Sequence, residues 1–112
     1  MKNWRADLEF LAKQCTGQNL IMAGDFNSTL DVLSSLSSKP GADFGQCSDS
    51  GLAAHAAAIG SWPTSVPALL GAQIDHVMYT SAWKVAAMKV IQSEDAAGSD
   101  HRPVVATLAP AR

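Results

Sequence analysis

Three short polar motifs, each next to an apolar stretch, contain the residues of this sequence that could do chemistry. They are Gly24-Asp25-Phe26-Asn27, Ile74-Asp75-His76-Val77 and Ser99-Asp100-His101-Arg102-Pro103. Hydrolysis of a phosphoester needs a nucleophilic water, stabilisation of charge on the phosphoryl oxygens and help for the leaving oxygen. Carboxylate, carboxamide and imidazole groups can supply all three, so the motifs predict a hydrolytic site if they meet in the fold.

Each candidate catalytic residue has a role that its side chain can fill. Asp25 can accept a proton from the attacking water, and Asn27 can hold that water or donate to a phosphoryl oxygen. His101 is the candidate for contacting the phosphoryl group, and Asp75 can orient it by accepting its second N–H. Asp25 and Asp100 offer the hard oxygen ligands that Mg²⁺ or Mn²⁺ binds. The sequence therefore predicts four catalytic residues and two metal ligands.

Other polar residues near the motifs allow two interpretations each. Arg102 can bind a phosphate bidentately or lie on the surface. His76 points to the opposite face from Asp75 by strand alternation, which favours a structural role. His55 has no second metal-type residue three or four positions away, so a surface or packing role is favoured over a ligand role. Asp25 and its neighbours could also be ordinary turn residues.

Apolar periodicity and turn residues predict the elements that would position the motifs. Helices are expected over residues 3–14, 29–36 and 52–59, and strands over 19–24, 73–80, 83–91 and 103–109. Asn3 is the expected N-cap of the first helix. The short spacing between the second and third strands predicts a hairpin. Convergence of the motifs requires the strands that carry them to be neighbours in a sheet.

The three motifs, in this order, resemble the C-terminal signatures of the endonuclease/exonuclease/phosphatase superfamily of metal-dependent phosphodiesterases. The resemblance covers nearly the whole chain and implies the same roles for the same motif positions. It also implies an α/β fold, the C-terminal half of a two-sheet sandwich with a mixed sheet and helices. The N-terminal half of that domain is then an expected partner. It would carry an Asn, a His and the Glu that is the main magnesium ligand, and none of these can be assigned in residues 1–112.

A narrower resemblance concerns a bacterial branch, the membrane-anchored VanJ-type proteins associated with glycopeptide resistance. It is carried by Trp4, Asp7-Leu8, Thr29-Leu30-Asp31 and Ser61-Trp62-Pro63. This branch implies a membrane-anchored parent protein and an extracytoplasmic site. In the superfamily the loop that holds Trp62 lies close to the site. Trp62 is therefore a candidate substrate contact beside Asn27 and Arg102, with simple packing as the alternative.

Composition is typical of one soluble globular unit of 112 residues, with 47% hydrophobic residues, 16% charged residues and a net charge of −2. Eight Lys and Arg residues are too few and too scattered for a broad nucleic-acid surface. The balance favours a lipid-linked or small phosphoester over duplex DNA and leaves nucleic acid open. No apolar run approaches the roughly 20 residues of a membrane span.

The two cysteines, Cys15 and Cys47, lack the paired spacing of zinc ligands. Free or partly buried thiols are favoured, and a disulfide is the alternative because an extracytoplasmic compartment would preserve one.

Two functions of different classes follow. The first is metal-dependent phosphoester hydrolysis, with this chain carrying half of the active site and expected to be inactive alone. The second is a non-catalytic half-domain that self-associates. A half sandwich would expose an apolar sheet face that water disfavours, so the isolated chain is expected to form a homo-oligomer. The residues expected on that face include Ile21, Ala23, Val77, Val85 and Val105.

Overall fold

The computed structural model describes residues 4–16, 19–93, 95 and 98–111, and combines short helices with two antiparallel sheets. In chain order the elements are α1 (Trp4–Gln14), β1 (Ile21–Asp25), α2 (Leu30–Leu33) with a 3₁₀ turn (Ser34–Leu36), β2 (Ser48–Asp49), α3 (Ser50–Ala53), a second 3₁₀ turn (Ala68–Leu70), β3 (Asp75–Tyr79), β4 (Trp83–Val90) and β5 (Val104–Pro110). The predicted α/β class is confirmed. The expected cap at Asn3 lies outside the described residues.

The sheet topology corrects three details of the sequence prediction. The first sheet has the order β1-β3-β2 and the second consists of β4 and β5. All of these pairings are antiparallel, so the named strands do not form a mixed sheet. β3 and β4 do not form a hairpin, because β4 pairs along its length with β5 instead. The strands that carry the motifs are therefore not all sheet neighbours, and β5 of the second sheet contacts β3 of the first.

The first sheet buries one face along β3, and on the other face only Tyr79 of that strand is buried. Met78 and His76 of β3 point into the core, where they are almost fully buried. That core also contains Leu8 of α1 and two phenylalanines, Phe26 and Phe44, whose rings meet edge to face with centroids 5.6 Å apart. On the other face, the side chains of β1 are largely exposed. Strand alternation therefore divides β3 into a core side and an open side.

The Ala-rich segment forms less helix than its propensity predicts. α3 ends at Ala53, not near residue 59, and His55 has a left-handed backbone with φ 59°. A left-handed residue cannot continue a right-handed helix, so the segment turns there. His55 is exposed, as the surface interpretation predicted.

A disulfide joins Cys15, at the end of α1, to Cys47, next to β2. This corrects the preference for free thiols. The two residues are 32 positions apart in sequence, and their Cα atoms lie 5.4 Å apart in the fold. Both are buried in the core. The pairing depends on the packing of α1 against the residue 43–49 segment, which the sequence does not reveal locally.

Among the described residues, none of the helices is long and apolar enough to cross a membrane.

Candidate active site

The site is built on a cross-strand pair of carboxylates. Asp25, the last residue of β1, lies directly opposite Asp75, the first residue of β3, so both side chains project from the open face of the sheet. Like charges placed directly opposite each other on neighbouring strands repel. A cation between the two carboxylates would relieve that repulsion, which makes this position suited to a protonated base or a metal ion.

His101 enters this position from the loop before β5. Its Nδ1 lies 2.7 Å from Oδ2 of Asp75, and its Nε2 lies 3.7 Å from Oδ2 of Asp25. The first distance is that of a charge-assisted hydrogen bond and the second is a looser ionic contact. The structure thus confirms the predicted contact between Asp75 and His101. It also brings Asp25 to the free nitrogen of the same ring.

The electrostatic surroundings favour the charged form of this imidazole. The hydrogen bond to Asp75 raises the pKa of His101 above its ordinary value; burial works against this, and the negative charges of Asp75, Asp25 and Asp100 add to the rise. Nδ1–H donates to Asp75, so in the charged form of the ring Nε2 carries a second proton, which faces Asp25 and the open groove. The ring can therefore offer a hydrogen bond, or a proton, to an oxygen that enters the groove.

The loop after β1 holds Asp25 and Asn27 in a fixed relation. The backbone N–H of Asn27 donates to Oδ1 of Asp25 at 2.8 Å, and the N–H of Phe26 donates to the carbonyl of Ile74 at 2.9 Å. Asn27 is left-handed, with φ 54°. The exposed Asn27 side chain lies on a recess of about 230 Å³ that His101 also lines. Asp25 therefore keeps its second oxygen for the site, and the carboxamide lies near the imidazole.

Asp100 is placed at the rim of the site by the loop that contains Trp62. The indole Nε1 of Trp62 lies 3.4 Å from Oδ2 of Asp100, and the N–H of Thr64 donates to the Asp100 carbonyl at 3.1 Å. Trp62 lines the same recess as Asn27 and His101. It stays a candidate for substrate contact, and the ligand role of Asp100 likewise stays a prediction.

Arg102 has a different role from either interpretation of the sequence. Its side chain is buried, with 2% of the residue exposed, so it is neither a surface residue nor open to a phosphate. The guanidinium binds both carboxylate oxygens of Asp95 at 2.9 to 3.1 Å and donates to three backbone carbonyls. Those carbonyls belong to Gly60, Pro63 and Val66. Arg102 therefore fastens the Trp62 loop to the segment that carries His101.

A buried serine, Ser61, for which the sequence indicated no role in the site, also positions it. Oγ of Ser61 accepts the backbone N–H of Ile74 at 3.0 Å and that of Asp75 at 3.2 Å. The carbonyl of Ser61 accepts the N–H of Arg102 at 2.6 Å. This one residue links the start of β3 to the loop before β5. Its position two residues before a proline is too common a pattern to have indicated that role.

The donor set suits a hard divalent cation. Asp25, Asp75 and His101 each offer one ligand atom, and these atoms lie within 4.8 Å of one another. Mg²⁺ needs only one or two carboxylates because it retains several waters. Asp25 is the open carboxylate of the group, whereas Asp75 and Nδ1 of His101 are committed to each other. A metal ion therefore fits best at Asp25, on the groove side. Asp100 lies outside this group of described residues.

The groove beside these residues is large and partly apolar. Its volume is about 490 Å³, and it runs between the open face of the first sheet and the start of β5. Apolar side chains line it next to the carboxylates and the imidazole; they are Ala23, Val77, Pro103 and Val104. The groove therefore offers polar and apolar surfaces side by side.

A family model described as "Endonuclease/Exonuclease/phosphatase family" matches residues 1–101 of the chain. The match includes the three residues that form the carboxylate–imidazole cluster. Comparison with curated proteins gave no match, and comparison with solved structures gave none. The narrower VanJ-type resemblance stays a prediction.

Proposed function

Because this chain belongs to the endonuclease/exonuclease/phosphatase family, we propose that the cluster of Asp25, Asp75 and His101 is a metal-dependent site for phosphoester hydrolysis. The observation that supports this most directly is the position of His101. Its imidazole lies between two carboxylates from adjacent strands and faces the groove with its free nitrogen. Family membership supports the hydrolase class, and the reaction details below are proposals.

In this proposal His101 contacts the phosphoryl group. Nε2 donates a hydrogen bond to a non-bridging oxygen, where negative charge increases in the transition state. Asp75 keeps the ring oriented and charged by accepting from Nδ1, as carboxylates do in other catalytic pairs. The two residues form one unit, so the loss of either should remove most of the effect of both.

Asp25 and Asn27 act on the water in this proposal. Asp25 accepts the proton that the water loses on attack, and the Asn27 carboxamide holds the water or donates to a phosphoryl oxygen. Asp25 is also the proposed metal ligand, with Asp100 as the second candidate. Mg²⁺ or Mn²⁺ bound there would supply electrostatic stabilisation of the phosphoryl oxygens.

The groove favours a lipid-linked or small phosphoester as the substrate. Its apolar lining would accept a hydrocarbon or aryl group beside the phosphate, and the chain has a net charge of −2, which does not attract duplex DNA. Trp62 is the proposed contact for that group, because it lines the recess next to His101.

Hydrolysis of bis-p-nitrophenyl phosphate tests the function. The assay compares this chain, and a longer protein that contains it, with Mg²⁺, with Mn²⁺ and with EDTA. We expect metal-dependent release of nitrophenolate that falls by about 10²-fold or more in Asp25→Asn. The matched control is Asp31→Asn. It removes an exposed carboxylate that accepts a hydrogen bond from Thr29 and does not belong to the carboxylate–imidazole cluster. Absence of turnover in both proteins would favour the non-catalytic, self-associating alternative.

A further inference from the structure

A second carboxylate–imidazole pair lies behind the active site, on the core side of β3. His76 follows Asp75 directly, and strand alternation turns its ring away from the groove. The residue is 1% exposed. Its Nδ1 lies 3.0 Å from Oδ1 of Asp49, and its Nε2 lies 2.8 Å from the carbonyl oxygen of Ser28. The reaction proposed above uses none of these groups.

The chemistry of the partners fixes the direction of these bonds. A carbonyl oxygen can only accept, so Nε2–H of His76 donates to Ser28, and Nδ1 shares the proton of the second hydrogen bond with the Asp49 carboxyl group. Asp49 is held in turn, because its Oδ2 accepts the N–H of Leu52 at 3.0 Å and its own N–H donates to Asp43 at 2.8 Å. The pair thus forms a rigid connection from the start of α3 to Ser28.

Ser28 is the next residue after Asn27, so this connection ends on the catalytic loop. The loop is held at two further points, the backbone bond from Phe26 to Ile74 and the Phe26 ring, which meets the His76 ring edge to face at 5.5 Å. Between these points Asn27 has its left-handed backbone. That conformation is uncommon outside glycine and persists where the surrounding contacts impose it.

We propose that His76 and Asp49 are positioning residues of the active site. By holding the Ser28 carbonyl they keep Asn27 left-handed, and this conformation directs the Asn27 N–H onto Asp25. The pair therefore sets the orientation of the carboxylate and the carboxamide that face the groove. The effect on catalysis rests on the proposed hydrolysis. The effect of His76 and Asp49 on the geometry of the loop does not depend on that proposal.

The test uses three variants of the full chain. His76→Gln leaves a carbonyl facing the Asp49 carboxylate and breaks the connection. Adding Asp49→Asn to it restores a neutral chain of hydrogen bonds, because the new Asn amide can donate to the Gln carbonyl and the Gln amide can donate to Ser28. Asn also caps helices well. The control is Gln73→Met, which removes a buried hydrogen bond to the Ala56 carbonyl and a partly buried one to the Ile59 carbonyl, neither of which involves the loop.

Two readouts separate positioning from general stability. One is amide hydrogen exchange at Asn27. The other is Mn²⁺ affinity, measured by paramagnetic broadening of the Asp25 and Asn27 signals. In His76→Gln we expect faster exchange at Asn27 and Mn²⁺ binding weaker by roughly 10–100-fold, as for other groups that orient metal ligands. The double variant should recover both, and the control should change neither.

Several results would overturn the proposal. The first is that His76→Gln and Gln73→Met change Asn27 exchange and Mn²⁺ affinity equally. The second is that the double variant folds but recovers neither wild-type exchange nor wild-type affinity. If His76→Gln does not fold, Asp49→Ser alone provides the comparison, because Ser can still cap α3 and lacks the second oxygen that bonds to the ring; unchanged Asn27 exchange in that variant would also overturn the proposal. Failure of the wild-type chain to bind Mn²⁺ would count against the proposed function, and Asn27 exchange would still decide the positioning role.

Discussion

Nδ1 of His101 lies 2.7 Å from Oδ2 of Asp75, although Asp75 belongs to the first sheet and His101 to the loop that leads into the second. Asp75 begins β3 of the first sheet, and His101 lies in the loop before β5 of the second. The hydrogen bond therefore joins the two sheets at the candidate active site. This contact orients the ring and is the largest of the influences that raise the pKa of His101.

Replacing His101 should remove most of the hydrolytic activity. We expect His101→Ala to lower kcat by about 10²–10⁴-fold, because a positioned proton donor or charge contact to the phosphoryl group contributes that much. The measurement is steady-state turnover in the longest active protein that contains this chain. His55→Asn is the matched control, since residue 55 is exposed and Asn tolerates its left-handed backbone. A His101→Ala enzyme with near wild-type turnover would refute the assignment.

Replacing Asp75 should change the titration of His101. In Asp75→Asn we expect the pKa of His101 to fall, because its largest upward influence is the hydrogen bond to Asp75. NMR titration of the imidazole protons measures this directly. The control is Asp31→Asn, which should leave the His101 titration unchanged. An identical His101 titration in Asp75→Asn and wild type would contradict the geometry.

The same pair makes stability depend on pH. A histidine whose pKa is raised by folding contributes fully below its unfolded value of about 6.5, and this contribution is lost as pH rises through the folded pKa. The difference in unfolding free energy between wild type and Asp75→Asn should therefore be largest below about pH 6.5 and shrink as the pH rises through the folded pKa of His101. Urea unfolding of both proteins from pH 6 to pH 9 measures the trend.

The parts of the fold that the sequence predicted depend on local patterns. β1 and β3 each begin two residues inside the predicted strands and end within one residue of the predicted ends. A short apolar run that ends in a polar motif contains this information locally. The contact between Asp75 and His101 was also predictable, because carboxylates commonly orient imidazoles and because the motifs and their order resemble those of a known family.

The parts that the sequence did not predict depend on distant partners. The sequence around Arg102 does not show whether its guanidinium binds a phosphate or the backbone. Its partners, Asp95 and the carbonyls of the Trp62 loop, are known only from the fold. The absent hairpin has a similar cause, since a long partner strand, β5, outcompetes the neighbour in sequence. His76 shows the opposite case, because strand alternation alone indicated a structural role for it.

Removing the Arg102 side chain should destabilise the fold strongly. Arg102→Met frees the Asp95 carboxylate, whose side chain is 34% exposed, and leaves three loop carbonyls without their partner, at a cost of about 1–3 kcal/mol for each acceptor that stays buried and unsatisfied. The free energy of unfolding in urea is the measurement. Arg5→Met is the control, since Arg5 makes only a 3.9 Å exposed pair with Glu9, of a kind that contributes about 1 kcal/mol or less. Equal losses in the two variants would contradict the clamp role of Arg102.

The open face of the first sheet should make the isolated chain self-associate. Ile21 is 45% exposed, Ala23 is exposed beside it, and the apolar lining of the groove continues the patch towards β5. Val85, by contrast, packs against the second core cluster, so it does not belong to this face. Exposed apolar area favours burial by roughly 25 cal/mol per Å². A self-complementary patch closes most simply as a two-fold dimer, which we propose here.

Light scattering at tens of micromolar protein tests this association. We expect a mass near twice the 11.7 kDa of the chain. Ile21→Thr should shift the equilibrium towards monomer, because Thr keeps the strand propensity and reduces the apolar area. Leu70→Thr is the control, since Leu70 is 76% exposed in the 3₁₀ turn, away from this sheet. A monodisperse monomer that binds no dye specific for apolar surfaces would show that this face is stable in water. If Ile21→Thr and Leu70→Thr shifted the association equilibrium equally, the dimer interface would not lie on this face of the sheet.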